Sequence, residues 1–354
     1  MITKLEIDGY RLLNNFVADL KPLTVVIGAN AVGKSTLLDC LQCISQCVEH
    51  PLNTALGWHW GINSLLNAAG KERKLTWQIT FNKPNNTFWS QLPVKDALFY
   101  KVVLQGDMQG QVQPQYEVLQ NLQPFQGYSG PLKYLEATSH RRQIFSREHH
   151  ELMPFDEAIP QPNQVRETSV ESQNGNQPIL PEKIQEPTLM LSQIRFFNEF
   201  PIPSSARVLL ANMAFYPGFD VTRFSALRIK AAEIKPMTML AQNGENLGTV
   251  LHEILTRYDY RQAATDIREF IKAAYSAFEE IHCDTTQGAP PQVLVRVREK
   301  GMQRSMELWE LSDGMLRFLC LAAALLNPFP PPFVAVDEPE SGLHPRLLPV
   351  VADM

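Results

Sequence analysis

The chain has no surplus of positive charge. Its 32 Lys and Arg face 37 Asp and Glu, for a net charge of −5, which argues against a generally basic nucleic-acid binder while leaving a local patch open. It has no apolar run of membrane length, since the longest, "FLCLAAALL" at 318–326, falls far short of the roughly 20 residues a span needs. Its five cysteines form no repeated CxxC pair, so a reduced, cytoplasmic protein fits better than a disulfide scaffold. The opening "MITKLEIDGY" lacks the apolar centre of a signal peptide. There is no internal repeat. What the 354 residues do have is 44% hydrophobic and 19% charged residues, a globular balance in a chain able to bury a large core.

The first eighty residues alternate between strand and helix patterns. Leu5 and Ile7 face one way and Lys4, Glu6 and Asp8 the other, predicting a half-exposed strand. "LTVVIG" (23–28) is a continuous apolar run, as expected of a strand buried on both faces. A helix is predicted over 34–49, with Leu37, Leu38, Leu41, Ile44 and Val48 on one stripe. "LTWQITF" (75–81) and "ALFYKVVL" (97–104) alternate, as in an antiparallel layer. Residues 150–188 are rich in Pro, Gln, Asn and Glu and read as a flexible insertion. Residues 190–282 read as mainly helical, including "ATDIREFIKAAYSAFEEI" as one helix. A hairpin turning at Lys300-Gly301 is expected over 292–311, then an all-apolar, deeply buried helix over about 313–326 and a last strand after "NPFPPP".

Two motifs carry chemistry. "GANAVGKST" (28–36) fits G-x-x-x-x-G-K-[ST] with Gly28, Gly33, Lys34 and Ser35. Such a loop cradles phosphates on backbone N–H groups, here those of Asn30, Ala31, Val32, Gly33, Lys34, Ser35 and Thr36, with Gly28 and Ala29 leading in. The helix that follows offers the same anion its positive end. Lys34 would bridge the β- and γ-phosphates and Ser35 would hold Mg²⁺. At the far end of the chain "FVAVDE" ends in Asp337 and Glu338, suited to metal binding and to polarising an attacking water. Guanine specificity is unsupported, because "NKPN" (82–85) lacks the Asp of the base-reading motif.

A third motif, "ELSDGMLRFL" (310–319), resembles the LSGG signature of ABC-type ATPases, with Asp313 at the third position, and "DEPESGLHP" resembles their Walker B and D-loop. Together the motifs resemble the ABC-like AAA family ATPases related to RecF, SMC and OLD proteins. That resemblance implies an α/β P-loop fold of ABC/RecF/SMC type, a mixed sheet with an antiparallel β layer and a helical insert. It implies ATP and Mg²⁺ as cofactors, Lys34, Glu338 and Gln193 as catalytic residues, and Ser35, Asp337 and Gln193 around the metal. Arg11, in "LEIDGYRLLNNF", becomes a base or ribose contact, and Gln193, in "MLSQIRFF", the Q-loop link. Ser312 and Gly314 would meet the γ-phosphate on a second copy, making an ATP-dependent homodimer.

The expected division is an N-terminal lobe (1–149), the insertion (150–189), a helical insert with the Q-loop (190–290) and a C-terminal lobe (291–354). The resemblance places a further strand, ending in a switch His, after the D-loop; His344 belongs to the D-loop itself and the sequence stops at Met354, so the chain is expected to lack that strand, and binding is expected to outlast turnover. DNA and an effector protein, for instance an antiphage nuclease, are both open as partners, as is a nucleotide-binding scaffold with little turnover; no membrane is implied. Cys40, Cys43 and Cys47 read as a buried small-residue stripe rather than a metal site. "HRRQIFSREHH" (140–150) reads as a solvated basic turn more than a nucleic-acid contact, and His149 and His150 lack ligand spacing for zinc.

Overall fold

The structure, a computed structural model, describes residues 1–68, 72–82, 97–124, 130–146, 149–158, 187–229, 232–234, 236, 239–286, 288 and 291–354. They form two compact units, Met1–Met213 and Ala214–Met354.

The first unit is built on eight antiparallel strands: β1 (Ile2–Asp8), β2 (Phe16–Asp19), β3 (Lys74–Phe81), β4 (Leu98–Gly106), β5 (Val112–Pro124), β6 (Pro131–Thr138), β7 (Arg142–Ser146) and β8 (Glu151–Pro154). Their order is β2-β1-β3-β4-β5-β6-β7-β8, each strand beside its chain neighbour except where β3 inserts against β1. Period-two alternation drives this layer. Leu75, Trp77 and Ile79 on β3, and Leu98, Tyr100, Val102 and Leu104 on β4, are buried on one face. The helices are α1 (Lys34–Cys47), α2 (Leu52–Gly57), α3 (Ile62–Leu65), α4 (Phe155–Ala158), α5 (Met190–Gln193) and α6 (Pro201–Ala211). Cys40, Cys43 and Cys47 are fully buried on α1, as a small-residue stripe should be.

Three expectations for this unit are corrected. Residues 23–28 form no strand and are not buried: Leu23 is 76% and Ile27 90% exposed. An apolar run has strand propensity, but a strand exists only where its N–H and C=O groups find a ladder partner. Among the described residues no strand pairs with this run. The insertion beginning at 150 holds ordered structure at its start, because β8 pairs with β7 and Phe155 on α4 is buried; residues 159–186 of it lie outside the described residues. The basic stretch at 140–150 is no solvated turn over 142–146 but strand β7. Arg142 there lies over the Phe155 ring at 4.5 Å, and residues 147 and 148 lie outside the described residues.

A buried carboxylate ties the sheet to α5. Glu117, on β5, is 1% exposed. It accepts the N–H groups of Met190 (2.6 Å) and Leu191 (2.9 Å) and the Tyr100 hydroxyl (2.9 Å). Burial pushes its carboxyl above the ordinary glutamate range, while those three donors and the Arg142 charge pull the other way. Glu117→Ala would leave three buried donors without an acceptor and is expected to cost about 3 kcal/mol or more, read as a lowered midpoint in chemical denaturation.

The second unit contains β9 (Ala214–Tyr216), β10 (Ala232–Glu233), β11 (Phe278–Thr285), β12 (Gln292–Glu299), β13 (Met306–Glu307) and β14 (Val334–Val336), with α7 (Ala226–Ile229), α8 (Leu247–Thr256), α9 (Arg261–Ala274), α10 (Asp313–Leu325) and α11 (Leu348–Ala352). β10, β12, β11 and β13 make one antiparallel sheet, and β14 pairs with β9 in parallel. Among the described residues, parallel and antiparallel pairings therefore sit in separate sheets rather than in one mixed sheet. The helix expected over "ATDIREFIKAAYSAFEEI" stops at Ala274, and Phe278 already begins β11; pairing with β12 over Phe278–Thr285 outweighs the helical spacing there. The turn at Lys300-Gly301 is as expected, with Gly301 at φ 81°. α10 is buried on nearly every side from Met315 to Ala324, while Ser312 and Asp313 at its start are exposed.

Candidate nucleotide site

The loop over residues 28–36 lies in the first unit. Gly33 sits at the N-cap of α1 with φ 105°, a left-handed conformation that glycine takes without strain. Ala31 also has positive φ, at 64°. No side chain caps α1 and its first turn holds no acid, so no carboxylate of that turn opposes an anion at its positive end. The loop closes tightly at Gly28, where a Cβ would stand 2.9 Å from the Val32 side chain. Lys34 folds back over the loop, its Nζ donating to the carbonyls of Gly28 (2.7 Å) and Ala29 (2.9 Å). Asn30, Val32 and Ser35 are exposed and Thr36 half-buried.

Arg11 stands beside this helix. Its guanidinium pairs with Asp39 of α1 at 2.8 Å. Its backbone is left-handed at φ 44° and held by a bond from its N–H to the Leu65 carbonyl. Asp39 also accepts from the Tyr10 hydroxyl (2.5 Å) and meets His59 Nδ1 (2.8 Å), whose Nε2 faces Gln46 at 2.7 Å. Burial works to raise the Asp39 carboxyl, but the bonds from His59 and Tyr10, with the charges of His59 and Arg11, hold it below the ordinary aspartate range. Sequence reasoning missed this hub, because Tyr10, Asp39 and His59 share no spacing pattern. Gln193 lies at the end of α5, its side chain held between Thr188 and Arg142.

The second unit carries the acids and the signature turn. Asp337 follows β14 and extends its ladder, its N–H donating to the Tyr216 carbonyl at 2.9 Å. Glu338 is exposed and left-handed at φ 45°, a strained conformation for a non-glycine residue. A turn holds it, with the Ser341 N–H on the Glu338 carbonyl at 2.8 Å. Asp337, Glu338 and Ser341 line a small cleft with Tyr216, Phe219 and Arg317. Ser312 caps α10, its Oγ accepting the Met315 N–H at 3.3 Å. A Cβ on Gly314 would stand 3.4 Å from the Gly342 carbonyl, so the signature turn and the D-loop lie against each other. His344 accepts the Arg346 N–H at 3.2 Å and caps the turn that follows. Sequence reasoning also missed β9, only three residues long, which carries β14.

The family described as "AAA domain, putative AbiEii toxin, Type IV TA system" matches residues 23–354. The chain belongs to this family, and so to the P-loop ATPases. No curated protein matches it. Among solved structures, a chain from "Structural biochemistry of ATP-driven dimerization and DNA stimulated activation of SMC ATPases" aligns at 21% identity and a TM-score of 0.26, over 33% of this chain and 68% of that one. Among the described residues no cluster of three or more His, Cys, Asp or Glu could hold a metal by itself, and no helix is long and apolar enough to cross a membrane.

Proposed function

We propose that this chain binds Mg²⁺-ATP at residues 28–36 and hydrolyses it within an ATP-dependent homodimer of ABC type. The observation that carries the reading is the loop ahead of α1: a left-handed Gly33, an uncapped helix end and Lys34 lying across the loop carbonyls. These features fit a phosphate chain, since a left-handed glycine lets the backbone approach it closely and the lysine can exchange carbonyl oxygens for phosphate oxygens. The oxygen donors Ser35 and Asp337 suit Mg²⁺, which is commonly held by one or two side chains plus phosphates and water. When bound, the metal would neutralise developing charge on the phosphates. Lys34 and the backbone from Ala29 to Thr36 would orient them, with Arg11 toward the base or ribose. Glu338 would take a proton from the attacking water, and Gln193 would report the state of the metal. Ser312 and Gly314 would complete the site of the second copy.

The resemblance of 311–343 to the RecF and SMC signature and D-loop supports a role in DNA maintenance, for which DNA should raise turnover. The family's own description supports a second reading, an ATPase whose ATP-bound state controls an effector. Co-purification of a second protein, with turnover indifferent to DNA, would favour that one. Calorimetry with Mg²⁺-ATP together with phosphate release tests the shared core of both; absence of saturable binding would overturn it.

A further inference from the structure

Asp313 replaces a glycine of the LSGG-type motif with a negative charge, in the first turn of the helix assigned to a phosphate. Its carboxylate does not lie free over that helix end. It pairs at 2.5 Å with Arg228, on α7. Arg228 is only 9% exposed, and the rest of its guanidinium is committed as well. Nε donates to the Val221 carbonyl (2.9 Å), and one terminal nitrogen donates to the carbonyls of Trp309 (2.9 Å) and Leu311 (2.8 Å). One side chain thus holds both the backbone leading into Ser312 and the charge that follows it.

We propose that Arg228 is a positioning residue for the signature turn: it neutralises Asp313 and draws that carboxylate aside, leaving Ser312 and Gly314 open to the phosphate of a second copy's ATP. The planar fork suits this task, because a carboxylate and three carbonyls can share one guanidinium. Without it, an uncompensated carboxylate would stand in the first turn of α10 and repel the incoming phosphate.

This inference rests on the dimer reading above, and its test separates the two. On a full-length Glu338→Gln background, the ATP-dependent monomer–dimer equilibrium is measured by analytical ultracentrifugation, beside monomer affinity for a fluorescent ATP analogue. Arg228→Gln is expected to weaken the dimer by roughly tenfold or more through charge repulsion, with analogue affinity unchanged. Adding Asp313→Gly to Arg228→Gln should recover most of the loss, since it removes the charge that needed neutralising. A purely structural arginine would not be rescued this way, because its three backbone carbonyls stay unpaired in the double variant. If Arg228→Gln lowers the melting transition, Arg228→Met, which keeps the packed stem, takes its place and the same recovery is required. An Arg228 variant that dimerises like its parent, or a loss that Asp313→Gly does not relieve, overturns the inference alone. A parent that forms no dimer with ATP overturns the dimer reading, and this inference falls with it.

Discussion

Glu338→Gln is expected to lower ATP turnover by roughly 10²- to 10⁴-fold, the range a positioned general base contributes, while ATP affinity stays close to that of the unchanged chain. The substitution keeps the shape of the side chain and removes only its capacity to accept a proton. Glu338 suits the part. It is exposed at the end of β14, beyond an Asp337 still engaged with the strand ladder, and its φ of 45° is imposed by the turn that Ser341 closes. Such strain costs of order 1–3 kcal/mol and tends to persist where function requires a particular direction. Phosphate release at saturating Mg²⁺-ATP measures the effect, with calorimetry reporting affinity. Turnover that survives the substitution would remove Glu338 from the chemistry, and a parallel loss of affinity would make it a binding residue instead.

Lys34→Ala is expected to weaken ATP binding by roughly tenfold to a hundredfold, since a hydrogen bond to a charged group is worth about 1.5–3 kcal/mol. The side chain now bonds two carbonyls of its own loop. On binding it would exchange them for phosphate oxygens, and no other cation lies within residues 28–36 to replace it. Stability should change little, because the loop carbonyls that lose the lysine belong to exposed residues and can turn to water. Calorimetric titration of both proteins, with melting curves beside it, separates lost affinity from lost fold. Equal affinities would overturn the assignment of 28–36 as the phosphate site.

The elements that carry the candidate site were more legible in the sequence than the strands around them. The phosphate loop, the buried helix behind the signature and the acids after the last strand follow from local rules: a glycine where left-handed backbone is needed, apolar residues at helical spacing, carboxylates after an apolar run. β3 and β4 were equally legible, because alternation over seven or eight residues leaves little choice. What failed depended on partners. Leu23–Ile27 has every local property of a buried strand, yet burial requires a neighbour, and no described strand supplies one. β9 is too short to show a period. Glu117 and Arg228 carry no motif at all, since a polar residue in a strand as rich in Gln as β5, or in a short helix, looks like surface until its donors and acceptors are traced. The Asp at the third signature position was a visible departure, and its reason lay in an arginine 85 residues away.

The central claim is that ATP held at 28–36 is closed over by a second copy of this chain. Light scattering on Glu338→Gln, with and without Mg²⁺-ATP and beside the same protein carrying Lys34→Ala, tests it most directly. The account predicts a monomer without nucleotide, a doubling of mass with Mg²⁺-ATP, and a monomer throughout when Lys34 is also replaced. A mass that ignores ATP, or a dimer that forms equally well without Lys34, would contradict it.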